Sequence, residues 1–189
     1  QDGVLVAFCE SAVYAVQGFG PTDQGQGEWG SPRVITRSTG CTNAQSIVET
    51  SAGIFFQSNR GIELLPRGLG EPQFVGAAVQ ASLGSSTVTS AAVVTVGQSR
   101  TVRFCIGGAT VLVFDLNTGA WERDVYPSSV SAICDTDEGA VLALTAISAG
   151  YGFLLEDPGE SNDSVGNSPA AVASVLQWAD VRPFGIAGN

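Results

Sequence analysis

The chain has 189 residues and carries eighteen carboxylates and eight arginines, but no histidine, lysine or methionine. That inventory removes several chemistries at once. Without imidazole there is no Ser-His-Asp triad, no Cys-His pair and no histidine-based metal site. Carboxylates alone remain for acid–base work, and glycosidases use them as pairs flanking the scissile bond. Glu49, Asp135 and Asp137 fall at the ends of inner apolar runs and are the only such set. Hairpin turns select Asp for its bonds to nearby backbone, so no catalytic residue is assigned and the chain reads as a non-enzyme.

The remaining motifs reduce to turns or packing. Asp115–Gly119 (DLNTG) and Asp135–Gly139 (DTDEG) begin like calcium loops but lack the later ligands and the distal Glu. Both read as Asx turns. Gly18–Gly30 (GFGPTDQGQGEWG) contains GxG, yet no helix signal follows to hold a phosphate. No metal ligand and no cofactor-binding residue are therefore assigned. Trp121 stands where an outer strand begins and reads as packing, whereas Trp29 in its Gly-rich loop reads as exposed and available to a partner. Arg60 in SNRG and Arg100 in GQSR sit in turns, as solvated residues or intersubunit ion-pair donors. The acidic loop Asp157–Ser164 reads as a solvated connection.

Cys9, Cys41, Cys105 and Cys134 show no CxxC spacing. Cys9, Cys105 and Cys134 lie in apolar runs (VAFCE, VRFCI, SAICD), which predicts buried free thiols in a reduced, intracellular assembly compartment. The net charge of −10 repels phosphates and excludes duplex binding through a basic patch. The uncharged apolar run Gly139–Leu155 is interrupted by ISAG and flanked by Glu138 and Glu156. It reads as two strands and a turn, so no membrane insertion is expected. The opening QDGVLVAFCES has neither an initiator Met nor a basic segment, which reads as a processed product or an excerpt of a longer chain.

The elements that position these residues repeat. Gly fills 24 of the positions, nearly twice its usual share of roughly 7%. Short apolar runs between Gly, Ser, Asn and Asp clusters predict an all-β chain. SIVETSAGIFFQ (Ser46–Gln57) and AICDTDEGAVLA (Ala132–Ala143) share a pattern: an apolar strand, Thr, two residues, Gly, and a second apolar strand. Their offset of 86 residues is twice 43, and Ser90–Ile106 supplies the copy between them. Second strands are predicted at Val4–Phe8, Ile54–Ser58, Val102–Ile106 and Ala140–Ala146. Third strands follow at Val13–Val16, Ile62–Leu65, Val111–Phe114 and Phe153–Leu155, beginning 49, 49 and 42 residues apart. Outer strands are predicted near Arg33–Arg37, Gln73–Val79, Trp121–Tyr126 and Ala171–Trp178.

A period in the forties with three or four strands per period is the pattern of propeller blades. The expectation is a β-propeller-like fold over residues 1–178. About four blade units of three to four antiparallel strands would span roughly 1–40, 41–85, 86–128 and 129–178. Residues 179–189 would form an exit segment toward a following domain. The first unit lacks its first strand, which the tail segment AAVASVLQWA or flanking chain would supply.

The string GFGPTDQGQGEWGSPRVITRSTGCTNAQSIVETSAGIFFQSNRGIELLPRG resembles the propeller segment of tail nozzle, tail tubular and stabilisation proteins of short-tailed bacteriophages. The residues that carry the resemblance are Gly18, Gly20, Pro21, Gly40, Cys41, Asn43, Ser46–Val48, Thr50, Gly53, Phe55–Ser58 and Arg60–Ile62. TVRFCIGGATVLVFDLNTGAWERD looks like a further blade of that propeller, and VLQWADVRPFGIAGN resembles its hand-over to the next domain. The platform domains that build the ring in that family are not in this sequence. The resemblance implies a structural virion protein in a ring of identical copies, usually six, below the portal and its adaptor. Tail fibres would be further partners. Genomic DNA would pass nearby without specific binding, and assembly would take place in the host cytoplasm. Two other classes remain open on the residues. One is a glycan- or receptor-binding propeller that stacks Trp29 and Tyr126 on sugars. The other is a propeller glycosidase using Glu49 with Asp135 or Asp137.

Overall fold

Runs of β-branched and aromatic residues, broken by Gly, Asn, Asp or Ser, form seventeen strands among the described residues of the computed structural model. The structure describes residues 3–18, 20–96, 98–126, 128–136, 139–147, 150–156, 163–165, 168–170 and 173–175. The chain divides into two compact units, residues 1–80 and 81–189.

The first unit holds two antiparallel meanders. Strands β1 (Val4–Phe8), β2 (Val13–Gln17) and β3 (Arg33–Thr36) pair in chain order, as do β4 (Asn43–Glu49), β5 (Gly53–Ser58), β6 (Gly61–Pro66) and β7 (Gln73–Phe74). The two sheets pack face to face. Val13 of the first meets Ile54, Phe56 and Leu65 of the second, with Val6, Phe8, Ile35, Cys41 and Leu69 around them. The Phe8 and Phe56 rings lie 5.0 Å apart between centroids. Strand β5 is buried at all six positions, so both of its faces are covered, and its side chains are accordingly apolar where neither turn claims them.

In the second unit β8 (Ser90–Val96), β9 (Ser99–Cys105), β10 (Thr110–Asp115) and β11 (Trp121–Val125) form the third meander. The fourth comprises β12 (Ser129–Thr136), β13 (Gly139–Ile147) and β14 (Gly150–Glu156). Val94, Cys105, Val111 and Val113 pack with Tyr126, Val130 and Ile133 between these two sheets. Thr95 N–H donates to Asp135 Oδ1 at 3.3 Å, so β8 lies against β12 by polar contact as well. A separate hairpin joins β15 (Asp163–Val165) and β16 (Ser168–Ala170). The run Gly139–Leu155 is indeed two paired strands, and no helix among the described residues is long and apolar enough to cross a membrane.

Two expected outer strands differ. The one placed at Gln73–Val79 lasts two residues, then Gly76–Val79 forms a 3₁₀ turn and Gln80–Leu83 one helical turn. The local sequence GAAVQASL places the buried Val79 and Leu83 four residues apart, a helical spacing. A Cβ at Gly76 would come within 3.0–3.1 Å of Ile62, so a side chain there would crowd Ile62. At 171–178, β17 (Ala173–Val175) pairs with β11, so it extends the third meander rather than completing the first or the fourth. The outer edge of β11 offers backbone partners to any extended segment that reaches it. The described strands form open sheets.

Candidate functional site

The most motif-rich part of the sequence, Gly40–Glu63, builds a polar cluster in the first unit. It starts with a bulge. In β4 the register shifts between Asn43, opposite Gln57, and Val48, opposite Phe55. Ser46 fills the gap: its Oγ donates to Asn43 O at 2.6 Å and accepts Gln57 N–H at 2.7 Å. Cys41 Sγ–H donates to the same carbonyl at 3.1 Å, and Gln45 N–H to Asn43 Oδ1 at 3.1 Å. Side chains thus replace ladder bonds that the extra residues would break, which is the requirement for a stable bulge. Gly40 precedes the bulge because a Cβ there would sit on the Cys9 carbonyl oxygen and 2.6 Å from Ala12 N.

The turns on either side of β5 are held in the same way. Thr50 Oγ1 accepts the N–H groups of Ala52 and Gly53, each at 3.2 Å. Gly53 is required by its φ of +148° and by the Leu65 backbone where a side chain would go. In the two-residue turn between β5 and β6, Arg60 N–H donates to Ser58 Oγ at 3.0 Å.

Glu63 lies at the centre. It sits opposite Phe56, on the face that packs against the first meander, and is fully buried. A carboxylate in such a position persists only when donors satisfy it. Four do: Thr39 Oγ1 at 2.7 Å, Ser58 Oγ at 2.5 Å and Arg60 Nε at 3.1 Å, all to Oε1, and Arg60 Nη2 to Oε2 at 2.9 Å. Burial pushes the Glu63 carboxyl up, but the Arg60, Ser58 and Thr39 donors outweigh it and hold it below its ordinary value. A second carboxylate, Glu71, accepts Thr36 Oγ1 at 2.6 Å and Ser38 Oγ at 2.8 Å, and these bonds lower it too. The Thr36–Thr39 segment leaving β3 is therefore tied to the second meander through two glutamates. Arg60 is an exposed turn residue, as read from sequence, and its guanidinium is also the partner of this buried charge.

Sequence reasoning missed Glu63, Glu71 and the hydroxyls of Thr36, Ser38 and Thr39. Glu63 was hidden in the apolar run IELL, although an Arg three residues earlier in a tight turn was the available signal. The other candidates are scattered. Glu49 and Asp135 are exposed and belong to separate units, while Asp137 lies outside the described residues, as does most of Asp157–Ser164. Asp115 Oδ1 accepts Asn117 N–H at 2.7 Å and Thr118 N–H at 2.8 Å, an Asx turn. Among the described residues no three carboxylates or thiols are grouped to hold a metal.

Arg100 is exposed. Trp121 is buried, its ring 5.0 Å from Phe114 and 6.0 Å from Phe104. Tyr126, expected at the surface, is only 3% exposed in the core of the second unit. Trp29 is 46% exposed, its indole lying across Gly20. Of the cysteines expected to be buried, only Cys105 is, and burial lifts its thiol to about 12. Cys9 follows the outward parity of Leu5 and Ala7, and Cys134 that of Ala132, so both are exposed.

The cluster binds backbone to backbone. Both carboxylate oxygens of Glu63 are occupied by donors from the chain itself, and the cluster's hydroxyls are aimed at carboxylate oxygens or at turns. Comparison of the chain with protein families, with curated proteins and with solved structures finds no match.

Proposed function

We propose that the four meanders are blades of a β-propeller-like structural module in the tail of a short-tailed bacteriophage. It is a non-catalytic nozzle or tail-ring component that helps retain the genome and form its exit channel. Identical copies, six in the related rings, sit below the portal and adaptor, with tail fibres as neighbours. The observation that carries this reading is the use made of the Gly40–Ile62 residues on which the resemblance rests. Gly40, Cys41, Asn43, Ser46, Thr50, Gly53, Ser58 and Arg60 each hold backbone or the buried Glu63. Sequence specificity of that kind serves a shape and not a reaction. Burial of β5 on both faces supports stacked blades. The acidic surface suits a wall past which DNA slides without adhering.

The exposed Trp29 favours a second reading, a glycan-binding propeller. Burial of Tyr126 removes the second stacking ring from that reading. Gold-labelled antibody against the purified chain, applied to intact particles, separates the two. Label at the tail vertex below the capsid is expected. Label on distal fibres, together with binding of the chain to a glycan array, would overturn the nozzle reading.

A further inference from the structure

The connection from β2 to β3 is the longest link within the four meanders. It takes residues 18–32, whereas the corresponding links from β6 to β7 and from β10 to β11 take only 67–72 and 116–120. A link of that length with no strand or helix of its own is uncommon between paired strands and usually carries a function. This one is folded. Gly30 N–H donates to Gln17 O at 2.7 Å and closes its base. At its tip Gly25 N–H donates to Thr22 O at 2.8 Å, and Gln26 N–H to Thr22 Oγ1 at 3.2 Å. The two limbs touch between these ends, since a Cβ at Gly27 would come 2.7 Å from Gly20 O. Glycine here serves close approach of two backbones and so fixes the shape of the arm.

What the arm presents is Trp29. Its indole lies against Gly20, where a Cβ would come 2.8 Å from Nε1, and Gly20 is buried. The Trp29 side of the contact stays 46% exposed. A large ring seated on backbone in this way has little rotamer freedom left to lose when something binds it. The surroundings are polar and acidic. Thr22, Asp23, Gln24, Gln26 and Glu28 are all exposed. Residues 1–32 contain Asp2, Glu10, Asp23 and Glu28 but no arginine. Among the described residues neither Asp23 nor Glu28 has an ion-pair partner.

We propose that this arm docks a partner protein through an arginine side chain, which stacks on the open side of Trp29 while Asp23 and Glu28 supply the counter-charge. Indole attracts cations more strongly than the other aromatic rings, and guanidinium is the cation that stacks on them. Trp and Arg are also the residue types that dominate the centres of protein interfaces. The two carboxylates add complementary charge and steer the approach. A neutral sugar would use the ring and leave both charges unanswered. This inference does not depend on the tail assignment.

The probe is the peptide GRGRGRG, titrated into the full chain at about physiological ionic strength. The control is the same peptide with citrulline, the uncharged isostere, in place of arginine. The Trp29 indole N–H resonance, assigned by its loss in Trp29→Leu, is the readout. A saturable shift is expected with the arginine peptide and none with the citrulline peptide. Anisotropy of labelled GRGRGRG should show binding weakened about five-fold in Trp29→Leu and again in the Asp23→Asn, Glu28→Gln double variant. If a variant does not fold, the resonance of the unmodified chain decides alone. Three results overturn the proposal. The Trp29 resonance could stay unmoved up to about 10 mM peptide. It could respond equally to both peptides, or to cellohexaose and not to arginine, which would make the arm a sugar platform. Or acrylamide could fail to quench the Trp29 emission of the free chain, which would place another part of the chain over the ring.

Discussion

Truncation of Glu63 reaches the bulge-and-turn motif and the inter-sheet tie in one step, and its cost follows from the partners it strands. Glu63→Ala removes the acceptor of four donors, and two of them, on Thr39 and Ser58, are buried at 2% and 4% exposure. Breaking a fully buried, charge-assisted cluster from the acceptor side costs about 3–5 kcal/mol. Arg60→Ala leaves Glu63 with both hydroxyls, and the Arg60 side chain is 53% exposed, so solvent screening limits that loss to about 1–2 kcal/mol. Because the two side chains share their bonds, the double variant should fall short of additivity by about 1 kcal/mol. Hydrogen-exchange mass spectrometry resolving Gly53–Pro66 isolates the first unit from the rest. A loss below about 1 kcal/mol for Glu63→Ala, or full additivity with Arg60→Ala, would refute the assignment of Glu63 as the hub.

Further outcomes follow from the same geometry. In the folded chain Glu63 and Glu71 both lie below the ordinary glutamate value of 4.5. Their stabilisation is therefore complete above that value and is lost as the pH falls through the folded values; the urea midpoint should drop below pH 4.5, less steeply in Glu63→Gln. Gly40→Ala drives a methyl into the Cys9 carbonyl and toward Ala12 N and should cost about 1–3 kcal/mol by urea unfolding. Ser46→Ala takes away the acceptor of Gln57 N–H and should cost about 1–3 kcal/mol, read as faster exchange at Gln57. With a thiol reagent at pH 8, Cys9 and Cys134 should react in the native chain, and Cys105, raised to about 12 by burial, only on unfolding.

The meanders were legible in the sequence because their signals are local. Short continuous apolar runs such as IFF and turn residues such as TSAG and SNRG fix strand and hairpin without reference to anything distant. The elements that were misread depend on non-local facts. The segment Gln73–Val79 looks extended, yet the strand stops at Phe74 and the chain turns through Gly76–Val79, where the buried Val79 and Leu83 take a helical spacing. Nothing local indicates that Ala173–Val175 pairs with β11. Cys9 and Cys134 lie in apolar runs, but parity at the strand end turns them outward. Glu63 is the instructive miss, since a carboxylate in an apolar run reads as a solvent-facing position of the strand. Ser58 and Arg60 are local donors to it, but Thr39 reaches it from the preceding meander, a non-local contact.

Peptide mass spectrometry on purified short-tailed phage particles that encode this chain tests the structural role most directly. The diagnostic tryptic peptide is Phe104–Arg123, FCIGGATVLVFDLNTGAWER. The proposed role predicts that peptide in intact particles, at a copy number near that of the portal. Its absence from intact particles would contradict a place in the virion and leave the glycan-binding propeller as the better account.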